Sequence, residues 1–380
     1  MKLLGGAVLS YIRRTDRTIW LLCLILSGFS LVLMVALLNS GFADVLRLSR
    51  RNVIIQGLSV LLGIFSAVII SLFDYKTLAK LWKFHVPVSY FLVLLTFFIG
   101  IGAAVRPDDW RWLILPGLDI TFQPAELLRI SFIIAFAYHI YKVDEKINHP
   151  LYLASLLVHG AVPVVLTQLQ GDSGTALIIA AIVAIMLFSA GLSWKYMAGA
   201  AVVAGTSLPI IWNVILNPFQ QERILAIFGA AEVDIQGIGW QQHWARIALA
   251  SGGQGGRGFF GVSHTYVAEM HNDFIFAFLG EATGFVGTIL TITVMVTLWM
   301  RILRCAGKAK DMLGHTICMG MFAMFSFQAL INIGMNISML PVIGNTLPFI
   351  SYGGSSMLTS FLGIGPVLSV YMHSEKSMFE

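Results

Sequence analysis

Four places in the chain set ionisable side chains against long apolar runs, where a charge is costly unless it is paired or faces water. The first is Glu269, Met270, His271, Asn272, Asp273, which leads directly into Phe274, Ile275, Phe276, Ala277, Phe278. A carboxylate at such a boundary is partly desolvated, which lifts its pKa towards the range where it accepts a proton in catalysis, while a nearby cation pulls it back. Asn272 or Asp273 would serve equally as a plain helix cap. Glu269, His271 and Asp273 alternate and would share one face of an extended segment, but in a helix His271 points elsewhere, so no metal site is assigned to them. The second place holds Glu126 and Arg129, three apart and hence on one helical face, either as a buried ion pair or as a pair that lines a substrate cavity. Asp172 is the third, inside Gln170, Gly171, Asp172, Ser173, Gly174, Thr175. This polar break between two apolar runs is tolerated at membrane depth only beside protein or a wet cavity. The fourth is Glu281, two turns beyond Asp273 and facing the interior. Together the acids describe a polar cavity that opens outward, although a transporter would show the same pattern.

Two further segments carry polar backbone rather than charge. Residues 340–356 contain Pro341, Pro348, Gly344, Gly353 and Gly354, which prevent a regular helix, together with Ser351, Ser355 and Ser356. Their hydroxyls and free N–H groups could meet phosphate or sugar oxygens, and a plain re-entrant turn would need the same residues. The glycine-rich stretch 252–258 has no Gly-Lys-Ser/Thr ending and no strand before it, so it reads as a flexible turn and not a nucleotide site.

These residues must be positioned by a membrane bundle. The 380 residues are 57% hydrophobic and only 11% charged, with a mean hydropathy of +0.83, whereas soluble domains carry roughly 25% charge. The apolar residues come in runs of about 20, the length that crosses about 30 Å of hydrocarbon. Spans are expected at 18–40, 53–73, 84–104, 123–141, 151–168, 174–190, 197–216, 273–300, 312–338 and 355–372. The fold class is therefore all-α and polytopic, about ten transmembrane helices in a single domain over 1–380. With both termini cytoplasmic, the outer side keeps only Arg47, Arg50, Arg51, Arg106, Arg111, Arg223, Arg246 and Arg257, and the other Lys and Arg, Arg129 apart, collect inside. That asymmetry follows the positive-inside rule, though Arg47, Arg50 and Arg51 run against it. The long connection 217–272, between helices 7 and 8, is then extracytoplasmic. Within it Trp240, Trp244 and Ile247 recur at helical spacing opposite Gln241, Gln242, His243 and Arg246, as an interfacial helix would. Cys23, Cys305 and Cys318 show neither disulfide nor zinc spacing. The charge of +5 is distributed as in a membrane protein and gives no reason to expect nucleic acid.

Several motifs resemble the SEDS family, which comprises RodA, FtsW and their sporulation relatives. Asn332 and Gly334 followed by Pro348, Phe349, Ile350, Ser351, Tyr352, Gly353, Gly354, Ser355, Ser356 look like its signature. Phe122, Gln123, Pro124, Ala125, Glu126, Leu127 resembles F-Q-P-S-E-L, and His271 to Ala277 resembles H-T-D-F-I-F-A. Asn217, Pro218, Phe219, Gln220 with Arg223, and Gly239, Trp240, Gln241, follow the family's outer loop in order. The resemblance implies a peptidoglycan glycosyltransferase of the bacterial cytoplasmic membrane, polymerising lipid II into a growing glycan strand at the outer face. It also implies a class B penicillin-binding protein as transpeptidase partner.

In the implied mechanism Asp273 is the general base on the acceptor's GlcNAc 4-hydroxyl, which attacks the donor's MurNAc anomeric carbon and inverts it to a β-1,4 link. The departing undecaprenyl diphosphate needs countercharge from Arg129, from a loop arginine such as Arg223, or from a divalent cation, Mg²⁺ or Mn²⁺; no organic cofactor is implied. Glu126, Arg129, Asp172, Arg223, Glu281, Ser351, Ser355 and Ser356 are the candidate substrate contacts. The chain departs from the pattern in three places. The proline of Q-P-D-L-G-T is Gly171, the usual lysine is Arg129, and G-E-E reads Gly280, Glu281, Ala282. The short tail favours the RodA-like elongation branch. A lipid II flippase and a non-catalytic scaffold for a penicillin-binding protein are the rival functions.

Overall fold

A computed structural model describes residues 10–101, 110–115, 120–216, 218–227 and 239–374. Asn217 of the outer-loop motif and Arg106 of the outer charge lie outside the described residues. Each expected span falls on a helix: α1 Arg17–Leu38, α2 Arg50–Leu72, the short α3 Tyr75–Lys80 leading to α4 Trp82–Ile99, α5 Pro124–Val143, α6 Pro150–Leu169, α7 Ser173–Ser189, α8 Trp194–Ile210, α9 Pro218–Ile227 and α10 Trp240–Ser251 in the long connection, α11 Ile275–Lys308, α12 Met312–Asn336 and α13 Gly354–Ser374. Among the described residues eight helices are long and apolar enough to cross a membrane. The spans expected at 123–141 and 174–190 correspond to α5, which carries Glu126, Arg129 and Lys142, and to the shorter apolar helix α7. The protein is an α-helical, multi-pass membrane protein.

The helices start where local chemistry allows. Asp16, Asp172 and Asp311 accept first-turn N–H groups of α1, α7 and α12, and Pro124 and Pro150 open α5 and α6, where a missing N–H costs nothing. Burial orders the bundle. In α12 and α13, 72% and 83% of the apolar window is buried, against 17% in α4 and none in α8. α13 packs along α2, while α12 lies among α5, α7 and α11. Small residues permit the approach: a Cβ on Gly63 would stand 2.8 Å from Phe361, and one on Gly320 2.5 Å from Ile133. Large apolar side chains such as Phe98, Phe84 and Val214 remain exposed on the outer helices, as a lipid-facing surface requires.

Three local features differ from expectation. Leu113–Leu115 and Ile120–Phe122 pair antiparallel as a small hairpin, β1 and β2, on the way into α5. α10 turns Gln242 inward with Ala245 and Ala248, where its Nε2 donates to Met335 O at 3.1 Å and Leu340 O at 2.8 Å, so Gln242 serves the end of α12 and not the polar face. The glycine-rich stretch is not a loose turn. α11 breaks at Gly284 (φ 66°), and the freed groups are taken by that stretch: Arg257 and Gly258 N–H donate to Glu281 and Ala282 carbonyls, while Phe285 and Val286 N–H donate to Gly253 and Gln254 carbonyls.

Candidate active site

The segment before α11 is held almost entirely through its carbonyls. Tyr352 N–H donates to His271 O at 2.8 Å, Ser351 Oγ donates to Asn272 O at 2.7 Å, and the Asn332 and Asn336 amides donate to Asp273 O at 2.9 and 3.0 Å. All four donors belong to α12 or the turn before α13. Capping by Asn272 or Asp273 does not occur: the cap position is Phe274, without a side-chain bond, and the Asn272 amide donates to Glu269 Oε2 at 3.0 Å. Glu269 sits at φ 57°, in the left-handed region that non-glycine residues seldom adopt. Because the backbone is fixed from behind, the Asp273 side chain is left half-buried at the bundle's end. Gly344, at φ 69°, lies against it: a Cβ there would be 3.5 Å from Asp273 Oδ2.

Asp273 stands between opposing charges. Burial and then the neighbouring Glu269 push its carboxyl up to about 7, Arg111 and Arg223 pull it down, and Asp172 adds a smaller upward push. Arg111, just before β1, reaches Asp172 Oδ1 at 3.7 Å. Asp172 is itself buried, capping α7 through Thr175 N–H at 3.0 Å and accepting from Gln123 Nε2 at 2.7 Å. Arg223, on α9, donates to the carbonyl of Val342 in the uncharged segment. Three elements far apart in sequence thus bring two guanidinium groups and one carboxyl of raised pKa together.

The other candidates are spent inside the protein. Arg129 and Glu126 form a buried pair at 3.6 Å, completed by Gln328 Oε1 at 3.3 Å and Thr359 Oγ1 at 2.9 Å. From there Gln328 donates to Thr346 at 3.1 Å, and Thr346 meets Ser356 at 2.8 Å, so the pair braces the uncharged segment from below. Ser351 is buried, accepting from Leu347 N–H while it donates to Asn272 O, and Ser355 and Ser356 are buried too. Glu281, fully buried, belongs to a separate cluster: Ser251 at 3.0 Å, Arg257 at 3.1 Å and Thr265 N–H at 2.9 Å, with His264 Nδ1 at 3.4 Å. Of the expected contacts, Asp172 and Arg223 therefore flank Asp273. Sequence placed Arg111 only among the outer charges and Gln242 only on the polar face of an interfacial helix, and gave Asn336 no role. Asn336 follows Asn332 by four residues, a spacing that places both on one face of α12.

The sequence pattern of the FtsW/RodA/SpoVE family, described as cell cycle proteins, matches residues 16–376. The chain belongs to this family. Within it, the "Probable peptidoglycan glycosyltransferase FtsW" of Trichlorobacter lovleyi is 32% identical over 93% of this chain and 92% of that protein. The peptidoglycan glycosyltransferase MrdB of Escherichia coli K12 is 30% identical over 77% of this chain and 80% of its own length. The fold is shared with a chain from a solved peptidoglycan synthase complex that coordinates polymerization and crosslinking, at TM-score 0.79 and 24% identity over 96% of this chain and 99% of that one. It is shared as well with the rod shape determining protein RodA of Thermus thermophilus, at TM-score 0.68 and 21% identity over 96% and 98% of the two chains.

Proposed function

We propose that this FtsW/RodA/SpoVE family member polymerises lipid II at the outer face of the bacterial cytoplasmic membrane, with Asp273 as general base. It is a peptidoglycan glycosyltransferase of cell-wall synthesis, as its curated relatives are. The observation that carries the mechanistic reading is the half-buried Asp273, raised to about 7 and flanked by Arg111 and Arg223. A base of that pKa is ionised often enough near neutrality to act, and basic enough to take a hydroxyl proton in the transition state. Asp273 takes the proton of the acceptor's GlcNAc 4-hydroxyl as its oxygen attacks the MurNAc anomeric carbon. The bond to undecaprenyl diphosphate breaks on the opposite face, which inverts the centre. Arg111 and Arg223 supply the countercharge for the departing diphosphate. Among the described residues no three His, Cys, Asp or Glu side chains are arranged to hold a metal ion. A divalent cation, if bound, would add countercharge for the departing diphosphate, and no step here runs through it. A class B penicillin-binding protein is the partner proposed, in keeping with the crosslinking in the synthase complex whose chain shares this fold.

The test is lipid II polymerisation by purified wild type and Asp273→Ala, alone and with such a partner, with glycan length read on a gel and folding checked. Long glycan from wild type and none from the folded variant is the expected result. Equal product from both would remove Asp273 from the chemistry, and none from either would favour a flippase or scaffold.

A further inference from the structure

The amides that hold Asp273 do two tasks at once. α11 begins without a capping side chain of its own, which leaves its first-turn N–H groups to find partners elsewhere. Asn336, fully buried on α12, supplies one: its Oδ1 accepts at 3.0 Å from Ala277 N–H, which it shares with Phe274 O at 3.1 Å. The Nδ2 of the same amide donates to Asp273 O at 3.0 Å and to Asn332 O at 2.9 Å. One side chain therefore caps the helix in trans and grips the residue that stands two positions before it. Asn332, also fully buried, donates to Asp273 O at 2.9 Å and to Asn345 O at 2.6 Å, tying the same carbonyl to the uncharged segment. The orientation of the Asn336 amide follows from its partners, since a carbonyl only accepts and a peptide N–H only donates.

We infer that Asn336, assisted by Asn332, is a positioning residue for glycosyl transfer: it fixes the backbone of Asp273 so that the carboxylate meets the acceptor hydroxyl. The inference rests on the reading of Asp273 as the base. Only two side-chain torsions separate that carboxylate from its backbone, and a misplacement of about 1 Å costs about 100-fold in rate. An aspartate at position 336 separates the two tasks. It keeps an acceptor for Ala277 N–H at a helix N-terminus, where a carboxylate is welcome, but sets a second oxygen against the carbonyl of Asp273.

The experiment compares wild type, Asn336→Asp, Asn336→Ala, Asn332→Ser and Asp273→Ala as full-length protein in nanodiscs, with the transpeptidase partner present. Melting temperature and kcat and KM for lipid II are measured, each kcat at the alkaline plateau of its own pH profile so that a shifted titration does not count. Asn336→Asp is expected to keep the melting temperature and KM and to lose about 10- to 100-fold in kcat, with a smaller kcat loss in Asn332→Ser. Wild-type kcat in a well-folded Asn336→Asp overturns the inference. So does a kcat loss that only tracks melting temperature across the set, or failure of both Asn336→Asp and Asn332→Ser to fold, each of which assigns the amides to folding alone. Activity in Asp273→Ala refutes the reading of the base itself, whatever the asparagine variants do.

Discussion

At the scale of single residues, the charges around Asp273 set when the proposed base can work. Its carboxyl is raised, so the ionised form that accepts a proton prevails only above about pH 7 and is lost as pH falls through that value. The acid limb of kcat/KM is expected near pH 7, falling about tenfold per unit below it. Glu269 pushes the carboxyl up and Arg111 pulls it down. Glu269→Gln is therefore expected to move the limb to lower pH and Arg111→Gln to higher pH, the latter with a loss of plateau rate. Polymerisation measured across pH 5 to 9 checks both directions, and a limb that stays put in Glu269→Gln would remove Glu269 from the electrostatics of the base. Asp273 was legible from its place at the edge of an apolar run and from the motif around it. Arg111 was not, because its significance lies in Asp172 and Asp273, which it meets only after folding. Glu126 and Arg129 were legible as a pair three residues apart, but their inward contacts with Gln328 and Thr359 depend on neighbours some 200 positions away.

Among the elements, the join between the glycine-rich stretch and the break in α11 is the least expected. Glu281 and Ala282 carbonyls, and Phe285 and Val286 N–H groups, leave the helical ladder and pair with backbone of residues 253–258. Such a break survives in a membrane only because protein satisfies each freed group. A Cβ on Gly284 would stand 2.3 Å from Gly256 N, at a φ of 66° that side chains disfavour. Gly284→Ala is expected to lower the melting temperature and the yield of folded protein, with a cost on the order of 2 to 3 kcal/mol from strain and the displaced strap. Thermal unfolding in detergent checks this, and an unchanged melting temperature would show that the break tolerates a side chain. The apolar runs announced the helices because the bilayer demands a fixed length of them. They were silent about the strap, since a backbone partner has no side-chain pattern to betray it, and about β1 and β2, each of three residues.

Across the whole molecule, the proposed function requires that Asp273 face the outside of the cell. Cys23, Cys305 and Cys318 are all buried, so a membrane-impermeant maleimide reports on introduced cysteines. Arg246→Cys, exposed on α10, is expected to label in intact cells. Lys195→Cys, exposed at the start of α8, should label only after lysis, and the opposite pattern would put the site on the wrong face. The sequence by itself determined that this is a multi-pass bundle, where its apolar helices run, and which acidic motif stands at the edge of one of them, because hydrophobic length and the positions of charges are properties of the chain alone. Tertiary structure decided which charges face the site and which are consumed within the protein. Asp172 and Arg223 are bonded within the protein yet close enough to act on the charge of Asp273, whereas the partners of Arg129, Ser356 and Glu281 lie elsewhere, and Asn336 caps a helix other than its own. A buried polar group must be satisfied, and the partner that satisfies it is set by packing between distant segments that no local pattern encodes.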